Sequence, residues 1–301
     1  MSKVVLGPGE ALATVGGLEI CYQTFGRPGD PPLLLIAGLG AQMIVWEDDF
    51  CEGLAARGFW VVRYDNRDVG KSTKIDWTPP ADPGKAVATR KPGDKIAAPY
   101  LLEDMAGDAV GLTDFLGVAS AHVVGASMGG MIAQEMAIHW PARVRSLTSI
   151  MSTTGDPRLP PPSPEAMQVF TAPPPKTARE YIEANVNAWR VFRGPGYPED
   201  ERRDRARAVR AAARGFSTEG GQRQLLAVTA SGSRKKSLPS VTAPTLVIHG
   251  ADDPLVPLAA GEDTAASIPG AKLVVLKRMG HALPLAVWPR VIDEIAAIAG
   301  M

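Results

Sequence analysis

A chain of 301 residues, 45% hydrophobic and 21% charged, is long enough to bury a sizeable core, as one α/β domain with an insertion or as two modest domains. Its 32 basic residues balance 32 acidic ones, which excludes a global field drawing it to nucleic acid or to an anionic membrane and fits a small neutral or apolar ligand. Cys21 and Cys51 are the only cysteines, too few for a disulfide framework and without metal-site spacing.

The N-terminus MSKVVLGPGEALATVGG carries no secretory apolar core behind a basic start, and no run is long enough to span a bilayer. The sequence therefore points to a cytoplasmic protein without membrane insertion. Leu12 to Val15 and Leu18 to Phe25 alternate as strands, joined at Gly16-Gly17 in a two-residue hairpin turn. Leu33-Leu34-Leu35-Ile36 is a continuous apolar run, the pattern of a strand buried on both faces. It opens into the loop Ala37-Gly38-Leu39-Gly40. Trp46, Phe50 and Leu54 then mark the core face of a first helix that ends near Gly58.

Phe59 to Tyr64 is the next strand, followed by Asp65-Asn66-Arg67-Asp68-Val69-Gly70-Lys71-Ser72. Gly-Lys-Ser is the tail of a phosphate-binding loop, but Asp65 stands where that motif needs its first glycine. Pro79, Pro80, Pro83, Pro92 and Pro99 also rule out the helix that should follow. Leu101 to Leu116 has helical spacing. The strand beginning Ala121-His122-Val123-Val124 then enters Gly125-Ala126-Ser127-Met128-Gly129, and a helix-forming run continues from Met131 to His139. Strand, Gly-x-Ser-x-Gly and helix in immediate succession form a nucleophile elbow, a sharp corner that lifts a serine hydroxyl clear of the sheet.

Arg143 to Met151 reads as a further buried strand. From Thr153 to Ser237 the character changes, with a proline-rich lead and helical stretches at Ala178 to Arg193, Glu199 to Arg214 and Gly220 to Ser231. The second of these is arginine-rich. Interspersed acids and a thin apolar face of Ala206, Val209 and Ala213 make it a solvated helix packed on one side. Thr245 to His249 is again a strand, Leu258 to Ile268 a helix, Lys272 to Leu276 a last strand, and Pro284 opens a final helix. This order predicts a mostly parallel eight-stranded sheet with helices on both faces. The expected core is residues 1–152 and 238–301, with a helical cap at 153–237.

A serine hydroxyl needs a base to take its proton and a third group to orient that base. Of the four histidines, His122, His139 and His249 fit structural roles, whereas His281 lies in a loop at the carboxyl end of the last strand, where open α/β sheets bind ligands. Asp252 and Asp253, after the seventh strand, both qualify as the acid. Oxyanion donors are expected at the Met128 N–H, at a helix N-terminus, and at the Leu39 N–H.

The segments LLLIAGLG, RYDNRDVGKST, HVVGASMGG, PTLVIHGADDPLVP and MGHALP together resemble the α/β-hydrolases, in particular the aclacinomycin methylesterase-like serine esterases. The resemblance implies an α/β-hydrolase fold and a triad of Ser127, Asp253 and His281, with Leu39 and Met128 as backbone oxyanion donors. It implies hydrolysis of a carboxylic ester with no metal or organic cofactor, while the helical cap and Met128, Met131 and Met279 near the site suggest that the ester is small to medium and mainly apolar. Gly38 and Met279 are expected at the substrate. The chain departs from many relatives by carrying Ala37-Gly38 in place of His-Gly, and residues 74–100 are longer, which fits a flap over the pocket and a disordered surface loop equally well. A carbon–carbon bond hydrolase or a perhydrolase would use the same triad, and a ligand receptor could share the fold. Aspartate-nucleophile dehalogenases and epoxide hydrolases are excluded by Ser127. Oligomeric state is not legible.

Overall fold

The computed structural model describes residues 4–80, 84, 96–198 and 200–301. Eight strands form one sheet: β1 (Glu10–Val15), β2 (Leu18–Phe25), β3 (Pro32–Ile36), β4 (Trp60–Tyr64), β5 (Ala121–Ala126), β6 (Val144–Ile150), β7 (Thr245–Gly250) and β8 (Lys272–Leu276). Their spatial order is β1-β2-β4-β3-β5-β6-β7-β8. β1 and β2 form a hairpin, β2 runs antiparallel to β4, and all remaining neighbours are parallel. At the hairpin corner Gly16 and Gly17 have φ of 55° and 84°, the positive pair that a twist-matched two-residue turn requires.

The described helices are α1 (Asp48–Ala55), α2 (Leu102–Phe115), α3 (Met128–His139), α4 (Pro164–Phe170), α5 (Ala178–Phe192), α6 (Glu201–Arg214), α7 (Thr218–Ser231), α8 (Leu258–Ser267) and α9 (Trp288–Ile298). Leu34, Ile36, Val62 and Val123 pack with α2 and α3 on one face of the sheet. Leu33, Leu35, Val61 and Val124 pack with α1 and α9 on the other. Alternation along β3 thus feeds both cores, which is why its sequence is apolar throughout. Helices α4 to α7 lie between β6 and β7 in the chain.

Three details depart from the sequence reading. α4 lies within the proline-rich lead, because Ser163 caps it by accepting the Ala166 N–H and Pro164 occupies its first turn. The last helix begins at Trp288, and Leu285–Val287 form a single 3-10 turn before it. In α6 the inward residues are Asp204, Ala208 and Ala211, while Val209 is 48% exposed. The segment read as a flap or a surface loop falls largely on residues 81–83 and 85–95, outside the described residues. No described helix is long and apolar enough to cross a membrane.

The elbow depends on close backbone approach. A Cβ at Gly129 would overlap the Ile36 carbonyl of β3, and one at Gly125 would overlap the Gly129 carbonyl. Backbone atoms cannot swing aside as a side-chain end can, so Gly129→Ala should destabilise the protein by about 3 kcal/mol, lowering the thermal midpoint by roughly 5 °C. Gly221→Ala on α7, where a Cβ meets nothing within 4 Å, is the control. It should be neutral or gain up to about 1 kcal/mol from helix propensity. Thermal melts of the two variants check this.

Candidate active site

Ser127 sits between β5 and α3 with φ 55° and ψ −121°, a conformation that costs a non-glycine residue about 1–3 kcal/mol. The surroundings enforce it. Its N–H donates to Ile150 of β6 at 2.9 Å, and its carbonyl accepts from Gly130 at 2.9 Å and Met131 at 3.2 Å. The Ser152 hydroxyl adds a third bond to the same carbonyl at 2.8 Å. The Ser127 hydroxyl itself makes no hydrogen bond among the described residues. Gly38 lies directly against it, since a Cβ there would stand 3.8 Å from Ser127 Oγ.

The loop after β7 brings Asp253 to the loop after β8. Asp253 is 6% exposed and His281 7%, and Asp253 Oδ2 lies 2.7 Å from His281 Nδ1. Asp253 Oδ1 accepts the N–H groups of Leu255 at 2.9 Å and Val256 at 2.8 Å. One carboxylate oxygen is thus held by its own loop while the other faces the imidazole. A carboxylate only accepts, so Nδ1 carries the hydrogen and Nε2 is left with its lone pair, the tautomer a general base needs. Asp252 is exposed and is tied through its backbone N–H to the Met279 carbonyl at 3.0 Å. The strand order sets Ser127, Asp253 and His281 along the carboxyl ends of β5, β7 and β8. No hydrogen bond joins the serine hydroxyl to the imidazole among the described residues; in ligand-free sites such bonds are often long and tighten on substrate binding.

His249 belongs to the support of this pair. Its Nε2 lies 2.8 Å from the Val256 carbonyl and 3.7 Å from Asp253 Oδ2. Burial holds its pKa below the ordinary histidine range, so the neutral ring donates from Nε2 and pins the loop that carries Asp253. Gly261 makes room for this ring, because a Cβ there would press on it. His122 accepts or donates at the Ser146 hydroxyl, 2.8 Å away, and His139 lies beside Glu135 on α3.

The loop of His281 is fastened to the end of α5. Gly280 donates to Arg193 at 2.9 Å and His281 to Phe192 at 2.5 Å, both through the backbone. The Phe192 ring meets the imidazole edge-on, centroids 6.1 Å apart. This contact is not legible from sequence, because nothing in the composition of α5 marks its last carbonyls as partners of a distant loop.

On the other side of Ser127, the Ala37 carbonyl accepts from Asn66 Nδ2 at 3.1 Å, and the Gly40 N–H donates to Gln224 of α7 at 2.8 Å. These two bonds brace the loop on both sides of Gly38 and Leu39. The backbone N–H groups of Leu39 and Met128 have no partner among the described residues. Met128, Met131 and Met279 are all buried in the core clusters; Met279, expected at the substrate, is 0% exposed and lies outside the lining of the cavity beside the site.

That cavity has a volume of about 340 Å³ and is bounded by Ala126 and Ala282, the residues flanking Ser127 and His281. Trp46, Phe50 and Trp288 wall it from the sheet side, and Trp189, Arg203 and Arg207 from α5 and α6. Both arginines are spoken for. Arg203 and Arg207 bond the two oxygens of Glu47 at 3.0 and 2.9 Å, and their guanidinium groups lie over Trp288 and Trp189. The cavity wall is therefore rich in aromatic rings, and the Arg203 and Arg207 charges on it are paired with Glu47.

Residues 31–285 match the family model of the alpha/beta hydrolase fold. The chain is 34% identical over 291 residues to a rhodomycin D methylesterase of Streptomyces peucetius, covering 90% of this chain and 92% of that one. A second rhodomycin D methylesterase, from Streptomyces sp. (strain C5), is 34% identical over 305 residues, with 95% and 96% covered. Among solved structures, the meta-cleavage product hydrolase of Pseudomonas fluorescens IP01 superposes with a TM-score of 0.75 at 19% identity, covering 96% of this chain and 97% of that one, a likeness of fold alone. By family model and by identity over nearly its whole length, the chain belongs to the alpha/beta hydrolase fold family.

Proposed function

We propose that the protein is a serine carboxylesterase acting on a small to medium, mainly apolar ester through an acyl-enzyme on Ser127. The observation that carries this reading is the buried Asp253–His281 hydrogen bond of 2.7 Å, on the sheet edge where Ser127 is held in its strained corner. Both Streptomyces relatives are named methylesterases, which makes a methyl ester with methanol as leaving alcohol the first substrate class to test.

In the first step Ser127 Oγ forms a bond to the ester carbonyl carbon while its proton passes to His281 Nε2. The carbonyl oxygen, now negative, is met by the N–H groups of Leu39 and Met128. The carbon–alkoxide bond then breaks, and His281 returns the proton to the departing alcohol. In the second step His281 takes a proton from water, the hydroxide attacks the acyl carbon, and the acid leaves as Ser127 recovers its proton. Asp253 stays ionised throughout and stabilises the imidazolium. Residues 153–237 act as the cap over a core of residues 1–152 and 238–301, and the aromatic cavity bounded by Ala126 and Ala282 receives apolar bulk of the substrate.

The test is an ester panel varying acyl and alcohol parts independently, with p-nitrophenyl esters for rate and acid-quenched intact mass for the intermediate. Turnover of neutral esters with an acyl mass increment on the peptide holding Ser127 is expected. Turnover confined to a carbon–carbon ring-fission substrate or to peroxide, or an increment on another residue, overturns the reading.

A further inference from the structure

The oxyanion loop is gripped at both ends, and one of the grips comes from outside the sheet. Asn66, next to β4, holds the Ala37 carbonyl. The other grip is Gln224, which sits on α7 and is 0% exposed. Its Oε1 accepts the Gly40 N–H at 2.8 Å and its Nε2 donates to the Arg67 carbonyl at 2.8 Å. An N–H on one side and a carbonyl on the other leave the amide a single workable orientation, so its two ends cannot exchange roles.

The position of Gln224 is itself fixed. Gly220, one turn earlier, packs against the Asp68 carbonyl so closely that a Cβ would overlap it. Arg223 makes a two-pronged bond to Asp68 at 3.0 and 2.8 Å, and Asp68, 0% exposed, also accepts from the Tyr100 hydroxyl at 2.5 Å. α7 is thereby bolted to the loop after β4, and the next residue spends its amide on the loop after β3. Between the two grips lie Gly38, against Ser127, and Leu39, whose N–H has no partner among the described residues.

We propose that Gln224 is a positioning residue for the oxyanion loop: by joining the Gly40 N–H to the Arg67 carbonyl it sets where the Leu39 N–H points, so that the inserted helices take part in assembling the catalytic geometry. This rests on the esterase reading, in which the Leu39 N–H meets the developing oxyanion. A misplacement of about 1 Å can cost on the order of 10²-fold in rate, and losing a donor outright costs about 10²–10³-fold. Releasing one of two grips falls below that.

Gln224→Met keeps the length of the side chain and removes both hydrogen bonds. Expected for p-nitrophenyl butanoate are a kcat lower by about 30-fold and a KM within about threefold, as for an interaction made only in the transition state. An alkyl trifluoromethyl ketone, whose adduct places an alkoxide in the hole, should lose affinity by a similar factor. The product butanoate should bind as before. A merely structural role would lower the folded fraction and leave the ketone affinity of the folded molecules unchanged; that result, or a wild-type kcat, overturns the proposal.

Gln224→Glu gives a second route should the methionine variant fail to fold. Its ionised carboxylate can accept from Gly40 but faces the Arg67 carbonyl without a proton, whereas the neutral acid can serve both. The ratio of its kcat to that of the wild type should therefore rise as pH falls, and a flat ratio overturns the proposal. A fluorophosphonate mass increment on Ser127 in the wild type keeps the two readings apart: with it present, a negative result counts against Gln224 alone, and without it the esterase reading falls and takes this inference with it.

Discussion

Ser127→Ala is expected to lower kcat for a short p-nitrophenyl ester by about 10⁴ to 10⁶-fold, the range seen when a serine hydrolase loses its nucleophile, with KM within a few-fold. The fold should not suffer. The hydroxyl makes no hydrogen bond among the described residues, and the bonds that hold the corner all run through the backbone N–H and carbonyl of residue 127. Alanine at φ 55° carries the same strain as serine, so the thermal midpoint should stay within a few degrees. Ser127→Gly should be as inactive yet more stable, by about 1 kcal/mol, because glycine adopts this backbone freely. Stability gained where activity is lost would show that the corner is strained for the sake of the hydroxyl. Initial rates with a thermal melt check both variants, and an alanine variant retaining more than about a hundredth of the wild-type kcat would exclude Ser127 as nucleophile.

The sheet was legible because its strands are short apolar runs closed by glycine or proline, and because parallel strands buried on both faces leave little room for any other reading. The corner at Ser127 was legible for a related reason: Gly125 and Gly129 stand where backbone meets backbone. What stayed hidden lies in the helices between β6 and β7. The apolar residues of α6 suggested that Ala206, Val209 and Ala213 face inward. Beside Asp204, Ala208 and Ala211, three of its six arginines turn inward instead, because Glu47, Asp65 and Glu10 wait on the core side: Arg203 and Arg207 bond Glu47, and Arg214 bonds Asp65 and Glu10. A helix face that is polar and inward cannot be told from a solvated one until its partners are known. Gln224 is the same case. A glutamine in a helix is unremarkable in sequence, and only the position of Gly40 and Arg67 on two other loops gives it a task.

The choice between two adjacent aspartates, left open by spacing, leads to the second large effect. Asp253→Asn should lower kcat by about 10⁴-fold with little change in KM, as for a triad whose imidazole is locked in the wrong tautomer. The geometry gives the reason. Leu255 and Val256 donate to Oδ1, so an asparagine would turn its carbonyl oxygen to them and its NH₂ to His281. Facing a donor, Nδ1 must become the acceptor and Nε2 must carry the hydrogen, which leaves no lone pair to take the serine proton. Because the loop keeps both of its N–H bonds, the midpoint should hardly move. Asp253→Ala removes the acceptor as well and should also destabilise, by about 2 kcal/mol for the stranded N–H groups. Asp252→Asn should behave as wild type, since that side chain is exposed and its tie to Met279 runs through the backbone. Steady-state rates and melts on the three variants separate orientation of the base from support of the loop. An Asp253→Asn enzyme with wild-type kcat would remove Asp253 from the mechanism, whatever its distance from His281.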